Sequence, residues 1–157
     1  MSRKLNLYYQ NVRGLKTKTV KFRSELMYNS YDVILLCETW LRPDIHTSEL
    51  FDDGYNVYRS DRDNVAIDKD DGGGCLIAVK RNSYSRRVKS FELKNAIWVS
   101  VDQADGGKMY FNVKYIELGT KLNVYVRHFN KTIENVFSCG CKWFVKWFVR
   151  LVRWLQS

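Results

Sequence analysis

The sequence predicts an α/β domain built around a sheet covered on both faces, and three observations predict it. Val33 to Cys37 is an unbroken apolar run rich in branched residues, the signature of a strand buried on both sides. Cys75 to Val79 is a second such run, entered through Gly72-Gly73-Gly74. Ahead of the first run lie a segment with a period of two and a segment with helix-like apolar spacing, so the chain opens strand, helix, strand.

Lys4 to Gln10 alternates Leu5, Leu7 and Tyr9 with Lys4, Asn6 and Tyr8, which fits a strand, and closes in Asn11-Val12-Arg13-Gly14-Leu15, where Gly14 permits a turn. Thr17 to Ser30 spaces Val20, Phe22, Leu26 and Met27 as a helix does. The strand Asp32 to Cys37 runs out at Glu38, so Asn11 and Glu38 end two strands and are expected at one rim. Strand ends are where layered α/β proteins build their sites, which makes Glu38 a candidate ligand for a hard metal ion. The plainer alternative is a carboxylate that returns the chain to water.

Leu41 to Gly54 is a polar connection holding the only proline, Pro43, with a short helical turn at Ser48 to Phe51. Tyr55 to Ser60 alternates as a strand. Asp61 to Gly74 reads as a solvated loop. Its five aspartates lack the residue order of a calcium-binding EF-hand, and its glycine triplet lacks the Lys-Ser/Thr pair of a phosphate loop. Those glycines instead let backbones approach closely. Lys80 to Ser90 is a basic, edge-like segment. Ala96 to Val101 and Met109 to Ile116 are strands whose connection, Asp105-Gly106-Gly107, favours a hairpin. Gly119-Thr120 then caps a helix in which Leu122, Val126, Phe129, Ile133, Val136 and Phe137 recur at intervals of three or four.

The tail, residues 138–157, differs in character. Lys142, Lys146, Arg150 and Arg153 draw one basic stripe through an otherwise apolar, Trp-rich segment, which predicts an amphipathic helix. Such a helix either covers an open sheet face of its own domain, the commoner use, or lies in an anionic membrane interface or against a partner protein.

At 157 residues, 45% hydrophobic and 27% charged, the chain suits one ordinary globular domain. From residue 121 on there are seven basic residues against one acidic, a net +6 of the whole chain's +9. A mildly basic body is compatible with nucleic acid, though phosphate contacts need their charges on one face. Neither a membrane-spanning run nor the apolar core of a signal peptide stands in the sequence, so an intracellular protein is expected. Cys37 and Cys75 fall in strand-like runs, and Cys139-Gly-Cys141 has no companion at zinc spacing. A reducing compartment and no structural zinc follow.

Five segments in order carry a family resemblance: Asn11-Val12-Arg13-Gly14-Leu15; Cys37-Glu38-Thr39-Trp40; Gly54-Tyr55-Asn56-Val57-Tyr58-Arg59-Ser60-Asp61-Arg62; Gly72-Gly73-Gly74-Cys75-Leu76-Ile77-Ala78-Val79-Lys80; and Val113-Lys114-Tyr115-Ile116. Together they resemble the endonuclease domain of non-LTR, jockey-type retrotransposons, within the endonuclease/exonuclease/phosphatase superfamily that includes deoxyribonuclease I. The resemblance implies a four-layered α/β sandwich with its site at one rim, a magnesium ion held by Glu38 with support from Asn11, and Tyr115 at the scissile phosphate. DNA is the implied partner, and Arg59 and Arg62 are candidate phosphate contacts.

Departures from the family pattern narrow the expectation. Ile116-Glu117-Leu118-Gly119 replaces the prolines that follow the family tyrosine, and no Asp occurs after Asp105, so Gly-Asp-x-Asn and Ser-Asp-His are both missing. His46 and His128 stand in neither context. The expected fold is therefore the N-terminal half of the sandwich, one mixed sheet with helices over residues 1–137, plus a C-terminal amphipathic helix. The expected function is that of a truncated, weakly active or inactive remnant of a magnesium-dependent DNA-nicking endonuclease, or else of a non-enzymatic module bound to a membrane or partner through residues 142–157. Loss of one sheet would also expose an apolar face and favour self-association.

Overall fold

The computed structural model describes residues 4–61, 72–92, 95–116, 121–138 and 145–147. The chain opens with strand β1, Leu7–Asn11, then a 3-10 turn at Lys16–Lys18 and helix α1, Thr19–Tyr28. Strands β2, Val33–Cys37, β3, Tyr55–Ser60, and β4, Cys75–Lys80, complete a first sheet in the order β1-β2-β4-β3. It is mixed, since β1 runs parallel to β2 while β4 is antiparallel to both β2 and β3.

A second sheet follows. It contains β5, Ser85–Arg87, β6, Ala96–Asp102, and β7, Lys108–Lys114, then, across helix α2, Leu122–Ser138, strand β8, Val145–Trp147. Their order is β5-β6-β7-β8, with β8 parallel to β7.

Alternation along β2 explains why its apolar run is unbroken. Val33, Leu35 and Cys37 face the second sheet with Cys75, Ile77, Val79, Ile97, Val99, Val101, Phe111 and Val113. Ile34 and Leu36 face the other way, onto Phe22 of α1 and onto Leu15, Leu41, Leu50 and Phe51. Each central strand thus buries both faces, the arrangement that requires covering layers on either side. Beyond the second sheet, Phe91 packs on Trp98 and Tyr110, and the turn carrying Phe91, Lys89–Phe91, contacts α2. The fold is a partial α/β sandwich of two packed sheets.

Two expectations are corrected here. The second sheet, expected to be missing, is present with four strands. The tail, expected to be a helix, is a strand at Val145–Trp147, where Val145, Lys146 and Trp147 pair with Tyr110, Phe111 and Asn112. A short run of aromatic and β-branched residues satisfies helical and extended patterns alike, and the edge of β7 supplies hydrogen-bonding groups that favour the extended form. The rest of the Trp-rich tail, including Cys139, Cys141, Lys142, Arg150 and Arg153, lies outside the described residues, as do Arg62 and most of the aspartate loop.

Candidate functional site

The parallel pairing of β1 with β2 sets Asn11 opposite Cys37, one residue before Glu38. The two strand ends are then held together by backbone: Val12 N–H donates to Cys37 O, Gly14 N–H to Glu38 O and Leu15 N–H to Thr39 O, at 2.8 to 2.9 Å. Their side chains meet as well. Asn11 Nδ2 donates to Glu38 Oε1 at 2.8 Å, and Asn11 Oδ1 accepts the Arg13 N–H at 3.3 Å. Among the described residues nothing engages Glu38 Oε2, so one carboxylate oxygen is left for a further partner.

Glu38 adopts a left-handed backbone, φ 56°, as do Trp40, φ 53°, and Arg13, φ 44°. Three non-glycine residues in this region cost about 1 to 2 kcal/mol each. Such strain persists only where the surroundings over-determine it. Here the surroundings include two close approaches. Gly74 lies so near Thr39 that a Cβ on it would sit 2.5 Å from Thr39 Oγ1, and a Cβ on Gly14 would sit 2.7 Å from the Trp40 ring. Thr39 N–H and Trp40 N–H donate to Gly74 O and Gly73 O, so the start of β4 clamps the segment carrying Glu38. Among the described residues Thr39 Oγ1 and Trp40 Nε1 are buried without a hydrogen-bond partner, which marks this corner as one where ordinary satisfaction yields to geometry.

The second sheet reaches the same rim. Cys37 Sγ donates to Lys114 O and Cys75 Sγ to Asn95 O, both at 3.6 Å, and Tyr115 N–H donates to Asn95 O at 2.9 Å. Tyr115, half-buried, packs on the core between the sheets. Lys114 is held below its ordinary amine range chiefly by burial. Asn11, Glu38 and Tyr115 are therefore carried by strand ends gathered along one edge of the sandwich. Beside Asn11 opens a cleft of about 670 Å³ lined by Tyr8, Arg13, Lys18, Lys21, Phe22 and Glu25.

Arg59 is placed elsewhere. Its guanidinium pairs with Asp61 through Nε at 3.1 Å and Nη2 at 2.6 Å, and also donates to Ile45 O at 2.5 Å and Arg42 O at 2.9 Å. With 14% of its side chain exposed, it latches the 42–45 connection to the end of β3. Sequence reading missed this because its partners are carbonyls distant along the chain. It also missed Thr39, Trp40, Gly14 and the Lys114 to Tyr115 segment as supports of the rim. The adjacency of Gly72-Gly73-Gly74 to a strand was the one available signal.

As a site for a cation, the rim offers oxygen donors alone: the Glu38 carboxylate and the Asn11 amide. Among the described residues no cluster of three or more His, Cys, Asp or Glu side chains forms. Few protein oxygens with room for water suit a magnesium ion, which gives up its hydration reluctantly.

Solved structures show the same architecture. The endonuclease domain of TRAS1, a telomere-specific non-LTR retrotransposon, superposes on 85% of this chain and 54% of its own, with TM-score 0.63 and 11% identity. The catalytic domain of Xenopus laevis APE2 matches over 87% and 55%, with TM-score 0.60 and 13% identity. An AP endonuclease from Leishmania major matches over 82% and 46%, with TM-score 0.58 and 18% identity. The chain spans about half the length of the structures it matches. No family model matches the sequence, and no curated protein does. At these identities the likeness is one of fold, the fold of nucleases and phosphatases.

Proposed function

We propose that this endonuclease/exonuclease/phosphatase-like fold carries the metal-binding part of a phosphodiester-cleaving centre acting on DNA. One observation supports the reading above the others. Glu38, in a strained backbone conformation, is steered by Asn11 through one oxygen while its second oxygen has no partner among the described residues. A carboxylate aimed in this way is disposed toward a cation. Glu38 and Asn11 would hold the magnesium ion, which when bound neutralises charge on the phosphate and on the departing oxygen.

The protein's own part is positioning. Asn11 fixes the Glu38 carboxylate and the Thr39 to Gly74 clamp fixes the backbone beneath it, while Tyr115, at the end of the facing sheet, would be the residue to meet the phosphate. The chain has no Asp after Asp105 to activate water in the manner of the family it resembles. A positioned base contributes about 10²- to 10⁴-fold, so cleavage by this chain alone is expected to be slow. Activity of the longer architecture belongs to the same proposal.

The test is relaxation of supercoiled plasmid in magnesium, with the chain and its Glu38→Ala variant compared alongside calorimetric magnesium binding. Glu38-dependent nicking with Glu38-dependent binding supports the reading. Binding unchanged by the substitution, or nicking that survives it, overturns it.

A further inference from the structure

Two free, buried cysteines face one another beside the rim. Cys37 closes β2, Cys75 opens β4, and the antiparallel register sets them directly opposite. The kind of pair they form follows from the ladder. Lys80 N–H donates to Asp32 O, which makes Asp32 and Lys80 a hydrogen-bonded pair. Counting along the unbroken register from Asp32 to Cys37, hydrogen-bonded and non-hydrogen-bonded pairs alternate, so Cys37 and Cys75 fall on a non-hydrogen-bonded pair. At such pairs Cα atoms stand about 4.5 Å apart and the side chains lie closest. That spacing is within the window of about 4.4 to 6.8 Å that a disulfide spans.

The side chains also point the same way. Both belong to the core between the sheets, and both thiols reach carbonyls of the second sheet at its rim, Cys37 to Lys114 O and Cys75 to Asn95 O. Cys37 is 7% exposed, at the open end of the row, whereas Cys75 is fully covered. A small oxidant therefore meets Cys37 first. We propose that Cys37 and Cys75 are an oxidation site, closing to a cross-strand disulfide when the chain meets a peroxide.

The chemistry balances in two steps. The Cys37 thiol is oxidised by hydrogen peroxide to the sulfenic acid, releasing one water. The Cys75 sulfur then attacks the Cys37 sulfur, forming the S–S bond and expelling the hydroxyl with the Cys75 proton as a second water. Closure would remove both thiol donors from Lys114 O and Asn95 O and tie β2 to β4 one residue before Glu38. This oxidation site follows from strand register and the packing of the two thiols, and is independent of the cleavage reading.

The test treats the folded full chain with mild hydrogen peroxide, quenches it in acid, blocks remaining thiols with N-ethylmaleimide in denaturant, and maps unreduced tryptic peptides by mass. The expected result is a linked peptide pair containing Cys37 and Cys75, dissolved by dithiothreitol. In the Cys139→Ser/Cys141→Ser chain, titratable thiols should fall from two to none, while a further Cys37→Ser change should leave the Cys75 thiol intact. Both cysteines recovered blocked, Cys37 linked to the tail cysteines, or Cys37 carried to sulfinic acid beside an intact Cys75 would each overturn the proposal.

Discussion

Glu38, just past the end of β2, and Arg59, near the end of β3, both carry charge, yet the fold treats them in opposite ways. Every nitrogen of the Arg59 guanidinium is engaged by Asp61 or by the carbonyls of Arg42 and Ile45, under cover from solvent. Among the described residues the Glu38 carboxylate receives one hydrogen bond, from Asn11, in a backbone conformation that a free chain would avoid. A charge fully answered by its own protein acts as architecture. One that the protein strains to present and then leaves partly unanswered is available for chemistry.

Substitutions should separate the two roles. Arg59→Ala leaves Asp61 without its partner and two carbonyls without donors, so it should lower unfolding stability by about 3 kcal/mol, read from the midpoint of urea denaturation. Magnesium binding should be unaffected at temperatures where the variant is folded. Gly74→Ala attacks the clamp. With φ at 83° and a Cβ 2.5 Å from Thr39 Oγ1, it should cost about 2 kcal/mol and also weaken magnesium binding, because Thr39 cannot move without Glu38.

Glu38→Gly should do the reverse of Arg59→Ala, gaining about 1 kcal/mol by relieving the left-handed backbone while abolishing magnesium binding. A loss of stability would place Glu38 among the architectural charges and dissolve the comparison. The smallest effect concerns Tyr8, beside the cleft. Burial, then the Glu25 carboxylate, push its phenol up to about 12 from an ordinary 10.0. The unfolded chain therefore loses this proton first, and stability should fall as pH rises from about 10 towards 12, with phenolate absorbance following the same window.

How much of this was legible in the sequence depends on the range of the interaction. The Asn11 and Glu38 pairing was readable because strand, helix, strand brings consecutive strand ends to one side. The close approach allowed by Gly74 was readable in kind, though its partner Thr39 was not. The partners of Arg59 were not readable, since apart from Asp61 they are backbone carbonyls more than a turn away in sequence that composition does not reveal. The meeting of Cys37 with Cys75 depends on the strand order β1-β2-β4-β3, a tertiary choice that neither apolar run encodes by itself. The tail failed for a different reason. A segment that alternates apolar and basic residues at several spacings carries two patterns at once, and the available edge of β7 decided between them.

The parallel docking of Val145–Trp147 on β7 has a mechanical corollary. Recruiting this segment to a lipid surface or a foreign helix would mean unzipping it from the sheet and leaving a row of bare amides and carbonyls along Tyr110–Asn112. Shortening the polypeptide ahead of Val145 would bare that same border permanently and invite strand-on-strand aggregation.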